Sequence, residues 1–600
     1  MHIYFYLPCP LCQIRDTHRN TMTNLCLRKI SALTLLLIYP DGAWSFSTPA
    51  PSSPPPPPSW LVDAAVGWAS IKGLQMVAPS SSRAQSHPIQ YTHLPVSLLP
   101  ASFPAQAFED VVAAAPIFNE LVDRISRDKD YLGSALAEVS ASDEFTGQLL
   151  RMYEEIYPSG VSAAAQPVAL GLHRSDYMTD DSADWRDGNG EGVSRQAGKP
   201  RPQKRLLQVE LNTIASSFGC LGAVTADLHR YLLDRFFLPS VALAPHDAPS
   251  PPSHDDLHAF LSAYLRDHEF PLHPSSPLPS TTSSPLVEAT LRSMPPNPTL
   301  SRLPAALASA HAYYNQPRAL VLFVVQPGER NLFDQRFLEL ALWEKHGLQV
   351  VRLSLEEVAR RCRLAPGPTQ ALWLDGRHEL AVVYFRAGYT PADFGSPLAW
   401  DARLLIEASA AVKCPTLGYQ LAGTKKVQQL LCEPAGLSRF LSPAQCLAAR
   451  QHFTSMYGLG AADLKDKEGG PARAVDAAIA SPGGYVLKPQ REGGGNNLYG
   501  EEMARALREW SSERLSGYVL MQRIQAPAKN AYLLREGEAV GGPAISELGI
   551  FGTFLGDTSS EKVIENQYAG YLVRTKLAHV NEGGVATGFA VVDSPMLVNE

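Results

Sequence analysis

An α/β fold with α+β elements is the architecture this chain predicts, on three observations. First, strands and helices alternate after Pro317. Residues 319–325 form a continuous apolar run, as in a strand buried on both faces. Residues 334–345 have helical spacing, 348–353 and 380–385 are strand-like, and 400–412 is helical again. Alternation at this spacing means a parallel α/β unit. Second, 485–488, 518–523 and 544–554 read as strands set among Gly-rich loops. Third, Phe108, Val111 and Val112, then Ile117, Leu121 and Ile125, recur at helical spacing, while 206–212 alternates like a strand.

With 600 residues the chain exceeds what one hydrophobic core serves. Composition and texture divide it into a leader or Pro-rich segment at 1–58, a region at 59–316, a parallel α/β domain at 317–423, and a C-terminal region at 424–600. Two low-complexity insertions interrupt the second part. Residues 180–204 are polar and read as a surface loop. Residues 239–298 are dense in Pro and Ser, with one helical patch around 257–265. A net charge of -7 argues against a nucleic-acid binder, so anionic ligands need local cations. Eight cysteines in a chain this long make no disulfide framework, and the five in the body suit a reducing compartment. Cys9 and Cys12 have no second pair at zinc spacing and read as incidental thiols. The apolar run 30–39 is far shorter than the ~20 residues that span a bilayer, so no membrane partner is expected. Arg28 and Lys29 before it and small residues after it follow signal-peptide grammar, while the unusual length ahead of the run reads equally as a mis-called start of translation. A cytoplasmic enzyme is the default, with organellar import through the leader as the alternative.

The chemistry centres on 488–502, KPQREGGGNNLYGEE. A strand ends in Lys488, and Pro489, Gln490, Arg491 and Glu492 follow, then Gly493, Gly494, Gly495, Asn496 and Asn497. Glycines let backbone N–H groups approach a polyphosphate. Glu492 would repel phosphate unless Mg2+ sits between them. A bare Gly run is a flexible turn; Lys, Glu and paired Asn in one stretch favour an ATP site. The run is neither a GxxxxGK[ST] loop nor a dinucleotide GxGxxG. Glu210 and Asn212 stand at i, i+2 on a strand, so they share a face and offer two hard oxygens to the same ion. Arg174, in LGLHRSDY, is placed to meet a carboxylate with two hydrogen bonds.

Ser217 begins SFGCLG, a turn with backbone N–H groups to offer. Glu329, Arg330, Asn331 and Gln335 follow one strand, and Arg386, Ala387, Gly388 and Tyr389 another. Ligands of open α/β sheets bind beyond such strand ends. Lys425 and Lys426 are candidate phosphate cations or, alternatively, a charge pair at a helix start. Arg574 and Lys576 alternate on a strand, and 582–588 is a second small-residue loop. Two Gly-rich loops imply lids over a water-sensitive intermediate. No Ser–His–Asp or Cys–His set stands out, and the 16 histidines contain no HExxH. Phosphate, Mg2+, arginines and lids remain, the equipment for carboxylate attack on ATP followed by amine attack on an acyl phosphate.

These stretches together closely resemble the eukaryotic-type glutathione synthetases of the ATP-grasp superfamily. The resemblance runs from about Trp60 onward and is carried by LGLHRSDYM, VELNTIASSFG, ERNLFDQR, VVYFRAGY, CPTLGYQLAGTKKVQQ, VLKPQREGGGNNLYGEEM, ISELGIFG and LVRTK with GGVATG. It implies an ATP-grasp fold with an embedded parallel-sheet substrate-binding domain. It also implies a ligase that joins γ-glutamylcysteine to glycine with ATP as co-substrate and Mg2+ as cofactor, working as a homodimer. Glu210, Asn212 and Glu492 would ligate the metal. Glu210, Lys425, Lys488, the loop from Pro489 to Asn497, Tyr499, the strand Met521, Gln522, Arg523 and Ile524, Glu547, Lys576 and Glu582 would hold ATP. The two amino substrates would lie against Arg174, Ile214, Ala215, Ser216, Ser217, Glu329 to Asn331, Gln335, Arg386 to Tyr389, Arg574, Val585 and Ala586. Arg174 and Arg574 are the expected catalytic pair.

The chain departs from the family pattern in three places. Ala387 stands for an acid, Gln522-Arg523 for Glu-Lys, and Thr587 for a second Ala in the loop that chooses the acceptor. A β-alanine acceptor is the runner-up, followed by another amino acceptor, then by a catalytically silent relative. None of the expected metal or lysine positions is lost.

Overall fold

The computed structural model describes residues 56–78, 89–158, 160, 165–182, 185–186, 192–193, 204–237, 254–270, 284–367, 369–467, 469–491 and 495–599. The leader with Cys9, Cys12 and the 30–39 run lies outside them, as do Glu492, Gly493 and Gly494.

Three sheets organise the chain. The largest has seven strands in the order Lys529–Arg535, Val96–Ser97, Val591–Asp593, Lys562–Leu577, Glu538–Asp557, Val168–Asp180 and Arg205–Asn212. Its long central strands show why it forms. Leu548, Ile550 and Phe554 belong to one apolar cluster, with Phe108, Val111 and Phe118 of the helix Ala105–Arg127. Phe551 and Leu555 belong to another, with Leu221, Leu228 and Leu232 of the helix Gly219–Phe237. The period of two sends alternate side chains to opposite faces, so each face has its own helical cover.

The second sheet is the α/β unit. Leu320–Val324 pairs in parallel with Val350–Leu353 and with His378–Phe385, which pairs in parallel with Val412–Cys414. Cys362–Leu364 and Leu372–Leu374 add an antiparallel edge. The helix expected over 400–412 is Pro397–Ala408. It stops because the Ser409 N–H turns back to Ile406, and Ser409 Oγ then accepts from Ala411 N. The third sheet is antiparallel, ordered Met456–Gly458, Tyr518–Gln522, Tyr485–Pro489, Leu498–Tyr499.

The 239–298 tract holds two helices rather than one, His254–Asp267 and Ser284–Ser293. Leu261, Tyr264, Leu265 and Val287 are buried, and the Tyr264 hydroxyl donates to the carbonyls of Leu99 and Pro100. These helices are docked on the body. Within 180–204 the described residues form a short hairpin, Trp185–Arg186 with Gly192–Val193. Cys220, Cys362, Cys414, Cys432 and Cys446 are free thiols. No helix among the described residues is long and apolar enough to cross a membrane.

Arg403 and Glu407 form a fully buried ion pair at 2.8 Å. Glu407 also accepts from Tyr157 Oη at 2.5 Å and Leu417 N at 2.9 Å. Burial pulls the Arg403 pKa down, and Glu407 opposes it. Removing the carboxylate strands a buried guanidinium. Glu407→Ala is therefore expected to cost about 3–5 kcal/mol. The check is the urea midpoint, and an unchanged midpoint would contradict the pair's role.

Candidate active site

Four strands of the large sheet bring the expected side chains together by register. Arg174 lies opposite Asn212, and Asp176 opposite Glu210. Glu547 lies opposite Arg574, and Gly549 opposite Asp176. The register slips after Asp176, where its neighbour Tyr177 pairs with Gln208. Val209 is the extra residue of this bulge, and its carbonyl accepts from Lys488 Nζ at 2.9 Å. The bulge thus ties the end of the Tyr485–Pro489 strand to the large sheet.

A cavity of about 270 Å3 opens here. It is lined by Arg174, Glu210, Asn212, Ile214, Ala215, Ser216 and Ser217 on one side, and by Lys488, Asn497, Tyr499 and residues 521–524, the end of the Tyr518–Gln522 strand and the two residues after it, on another. Tyr389, Glu547, Arg574, Lys576 and Glu582 complete the expected lining. Met178, Val209, Ile545, Val580 and Asn581 line it too and were not expected.

Lys425 starts the helix Lys425–Cys432 and pairs with Glu210 at 3.2 Å. Lys426, beside it, pairs with Asp463 at 3.0 Å, and its N–H donates to Gln490 Oε1. A cation at a helix N-terminus is unfavourable on its own; here each lysine is held by a carboxylate. Burial raises the Glu210 pKa, but Lys425, Lys488, Arg574 and Arg174 outweigh it and hold the carboxyl far below its usual range. Glu547 goes the other way. Burial raises it and Asp176 and Glu210 add to the rise, against Arg574, to which it is hydrogen-bonded. Burial pulls the Lys576 pKa down, opposed by Glu547 and Glu582.

The two Gly-rich loops meet. Gly495 N donates to Glu582 Oε2 at 2.6 Å, with Gly495 at φ 93, a left-handed conformation that suits glycine. Asn497 Nδ2 contacts the Tyr499 hydroxyl at 3.3 Å, and Arg523 stands 5.9 Å over the Tyr499 ring. Arg491 faces elsewhere, paired with Asp143 at 2.5 Å.

The second expected group gathers beside the cavity around Ala215. Arg386 Nη1 donates to the Ala215 carbonyl at 2.9 Å. Burial disfavours the Arg386 charge, but Tyr384, Glu329 and Asp334 outweigh that and lock it on. Burial raises the Glu329 pKa, and Gln335 is hydrogen-bonded to the carboxyl. Asn331 is buried with neither side-chain polar atom hydrogen-bonded. Arg330 Nε and Nη1 donate to the carbonyls of Val77 and Ala586 at 3.2 and 2.6 Å, so this arginine holds the 582–588 loop and is not among the residues that line the cavity. Val585 is packed in the second apolar cluster. Asp393 Oδ2 accepts from the N–H groups of Gly388, Tyr389 and Thr390, and so orders the turn in which Ala387 replaces an acid.

Of the SFGCLG backbone, the N–H groups of Phe218, Cys220, Leu221 and Gly222 are not open to a ligand, Gly222 donating to the Phe218 carbonyl. Asp334 accepts from Phe218, Cys220 and Leu221. Sequence reasoning missed Asp334 and Asp393, and also Asp176, which is fully buried and hydrogen-bonded to Arg174, Asn212 and Arg574. Its spacing from Arg174, i, i+2 on one strand, was the available signal.

No cluster of three His, Cys, Asp or Glu side chains suited to a metal occurs among the described residues. Glu210 and Asn212 nonetheless fit a cation bound mainly through phosphate oxygens. Glu210 is ionised, and Asn212 Nδ2 donates to the Arg174 carbonyl and Asp176, leaving its carbonyl oxygen as the ligand atom.

The profile of the family described as "Eukaryotic glutathione synthase, ATP binding domain" matches residues 59–597. The chain is 37% identical to a chloroplastic glutathione synthetase of Solanum lycopersicum over 90% of its own length and 84% of that protein. It is 36% identical to the Homo sapiens glutathione synthetase, over 86% of this chain and 91% of that one. A glutathione synthetase-like effector from Globodera pallida, solved in its apo form, superposes with a TM-score of 0.61 over 90% of this chain and 96% of its own. At 21% identity that likeness speaks to the fold alone.

Proposed function

This chain belongs to the eukaryotic glutathione synthetase family, and from that premise we propose that it joins γ-glutamylcysteine to glycine through an acyl phosphate, consuming ATP. The observation that carries the reading is an ionised Glu210 that lines the cavity with Lys488 and pairs with Lys425, beside two Gly-rich loops already in contact. A silent relative would have no need of that charge arrangement.

The donor's cysteinyl carboxylate attacks the γ-phosphorus, an O–P bond forms and ADP leaves. The glycine amine then adds to the acyl carbon, phosphate departs with the electron pair of the C–O bond, and the amine loses its proton. Lys425 and Lys488 offset charge on the phosphoryl oxygens. Arg174 and Arg574 face the carboxylate and the oxyanion it becomes. Tyr499 and the 521–524 strand take the nucleotide. Glu210, Asn212 and Glu492 would hold Mg2+, which when bound would offset phosphate charge. Loops closed over the site keep water from the acyl phosphate. The 317–423 unit supplies the Arg386–Tyr389 turn to the amino substrates. Assembly as a homodimer is part of the reading. Exposed Tyr91 packs edge-on against Phe333 of the helix that also exposes Leu340 and Trp343. We assign a cytoplasmic location, with organellar import through the leader as the alternative in view of the chloroplastic relatives.

The test is release of ADP and phosphate by purified protein given γ-glutamylcysteine with glycine, β-alanine, serine or glutamate. Release should require both amino substrates and be greatest with glycine. Preference for β-alanine would move the assignment to the homoglutathione enzyme, and no release with any acceptor would refute the reading. Arg330→Ala frees the acceptor loop. It is expected to raise the KM for glycine several-fold and leave the KM for ATP unchanged. An equal rise in both would show that Arg330 acts on the whole cavity.

A further inference from the structure

Asp176 sits behind the cavity wall, with a side chain only 1% exposed. Its two oxygens grip Arg174 as a fork, Nε to Oδ1 at 2.6 Å and Nη2 to Oδ2 at 2.7 Å. Oδ2 also accepts from Arg574 Nη2 at 2.9 Å and Asn212 Nδ2 at 3.0 Å. One oxygen therefore joins side chains from three strands, two of them cations that would otherwise repel. The space is provided by Gly549 directly opposite, where a Cβ would stand 2.7 Å from Asp176 Oδ1 and 2.8 Å from Arg174 Cδ.

We propose that Asp176 is the positioning residue of the ligase site, setting the spacing and direction of Arg174, Arg574 and Asn212 by accepting their rear-facing N–H groups. The inference rests on the function proposed above and adds to it. A guanidinium has five N–H donors in a rigid fork. Arg174 commits Nε and Nη2 to Asp176 behind the wall and Nη1 to the carbonyl of Ser217 in the wall at 3.1 Å. Arg574 directs Nη2 backward, to Asp176 and Glu547. Both arginines line the cavity, so the N–H groups these bonds leave over are what each fork has to offer there. Asn212 is turned in the same way, its Nδ2 to the rear. Asp176 itself is not among the residues that line the cavity, so it acts through its partners.

Asp176→Asn keeps the shape and puts an N–H2 where donors already converge. The expected result is a rise of about tenfold or more in the KM for γ-glutamylcysteine and a fall of about a hundredfold in kcat, with a smaller rise in the KM for ATP through Asn212, as a misplaced group costs about 10²-fold. The same substitution made in Arg574→Ala is expected to cost much less than in the wild type, because residues that act as a unit are not additive. Additive losses, or equal changes in both KM values, would overturn the proposal. If Asp176→Asn does not fold, Arg174→Lys serves. It keeps the charge, cannot span both Asp176 oxygens, and should show the same split between the two KM values; wild-type kinetics would overturn the proposal. Wild-type protein run alongside separates the two claims. No turnover there refutes the ligase reading, whereas turnover with an unaffected Asp176→Asn refutes this inference alone.

Discussion

Lys488→Met is expected to lower kcat/KM about a hundred- to a thousandfold, the loss seen when one fixed charge-stabilising donor is removed. Lys488 is buried, stands next to last in the strand Tyr485–Pro489, and is fixed by the Val209 carbonyl at 2.9 Å. Its charge therefore needs no reorganisation when phosphate arrives. A second effect separates this from simple misfolding. Lys488 is, after Lys425, the largest charge holding the Glu210 carboxyl low. With it gone, Glu210 takes up a proton at higher pH, so the acid limb of the kcat/KM profile moves upward. The sign for stability is the same. A carboxyl with a depressed folded pKa contributes stability above its ordinary range and loses it as pH falls, and the variant should lose it sooner. An acid limb that does not move would break the link between the two residues.

Gly549→Ala is expected to reduce kcat at least about a hundredfold, because reacting groups misplaced by 1 Å lose that much. The added methyl would stand 2.7 Å from Asp176 Oδ1 and 2.8 Å from Arg174 Cδ, both anchored, so neither can yield without breaking the fork. Gly542→Ala on the same strand is the control. Its Cβ would meet only Leu577 Cδ2, at 3.5 Å, an ordinary contact. Equal activity in the two variants would mean that the Arg174–Asp176 pair can shift at no cost to turnover.

The parts of the site legible in the sequence are those written in short-range periodicity. Glu210 and Asn212 share a face because they are two apart on a strand, as do Arg574 and Lys576. Lys488 was visible as the last residue of an apolar strand before glycines. What escaped depends on register. Asp176 gains its role only when three strands align and a bulge at Val209 shifts one of them. The SFGCLG amides looked available because their acceptor, Asp334, is more than a hundred residues away. In the fold, the 400–412 helix was read too long because apolar residues continue past Ser409 into the strand Val412–Cys414. The helix Ser284–Ser293 was hidden by the Ser and Pro around it, while Val287 beneath it is fully buried.

The place of Val591–Asp593 in the large sheet, between Val96–Ser97 and Lys562–Leu577, bears on how the protein is made. A chain leaves the ribosome N-terminus first, at about 5–20 residues per second. The strands carrying Arg174, Glu210, Glu547 and Arg574 emerge and can pair, linked to Val96–Ser97 through Lys529–Arg535, while Val591–Asp593 is still being synthesised. Until it arrives, the edges of Val96–Ser97 and Lys562–Leu577 that it covers stay bare, the feature most prone to pairing with another chain. A nascent chain stalled before Val591 would thus hold nearly every residue of the site and still be a substrate for chaperones rather than an enzyme.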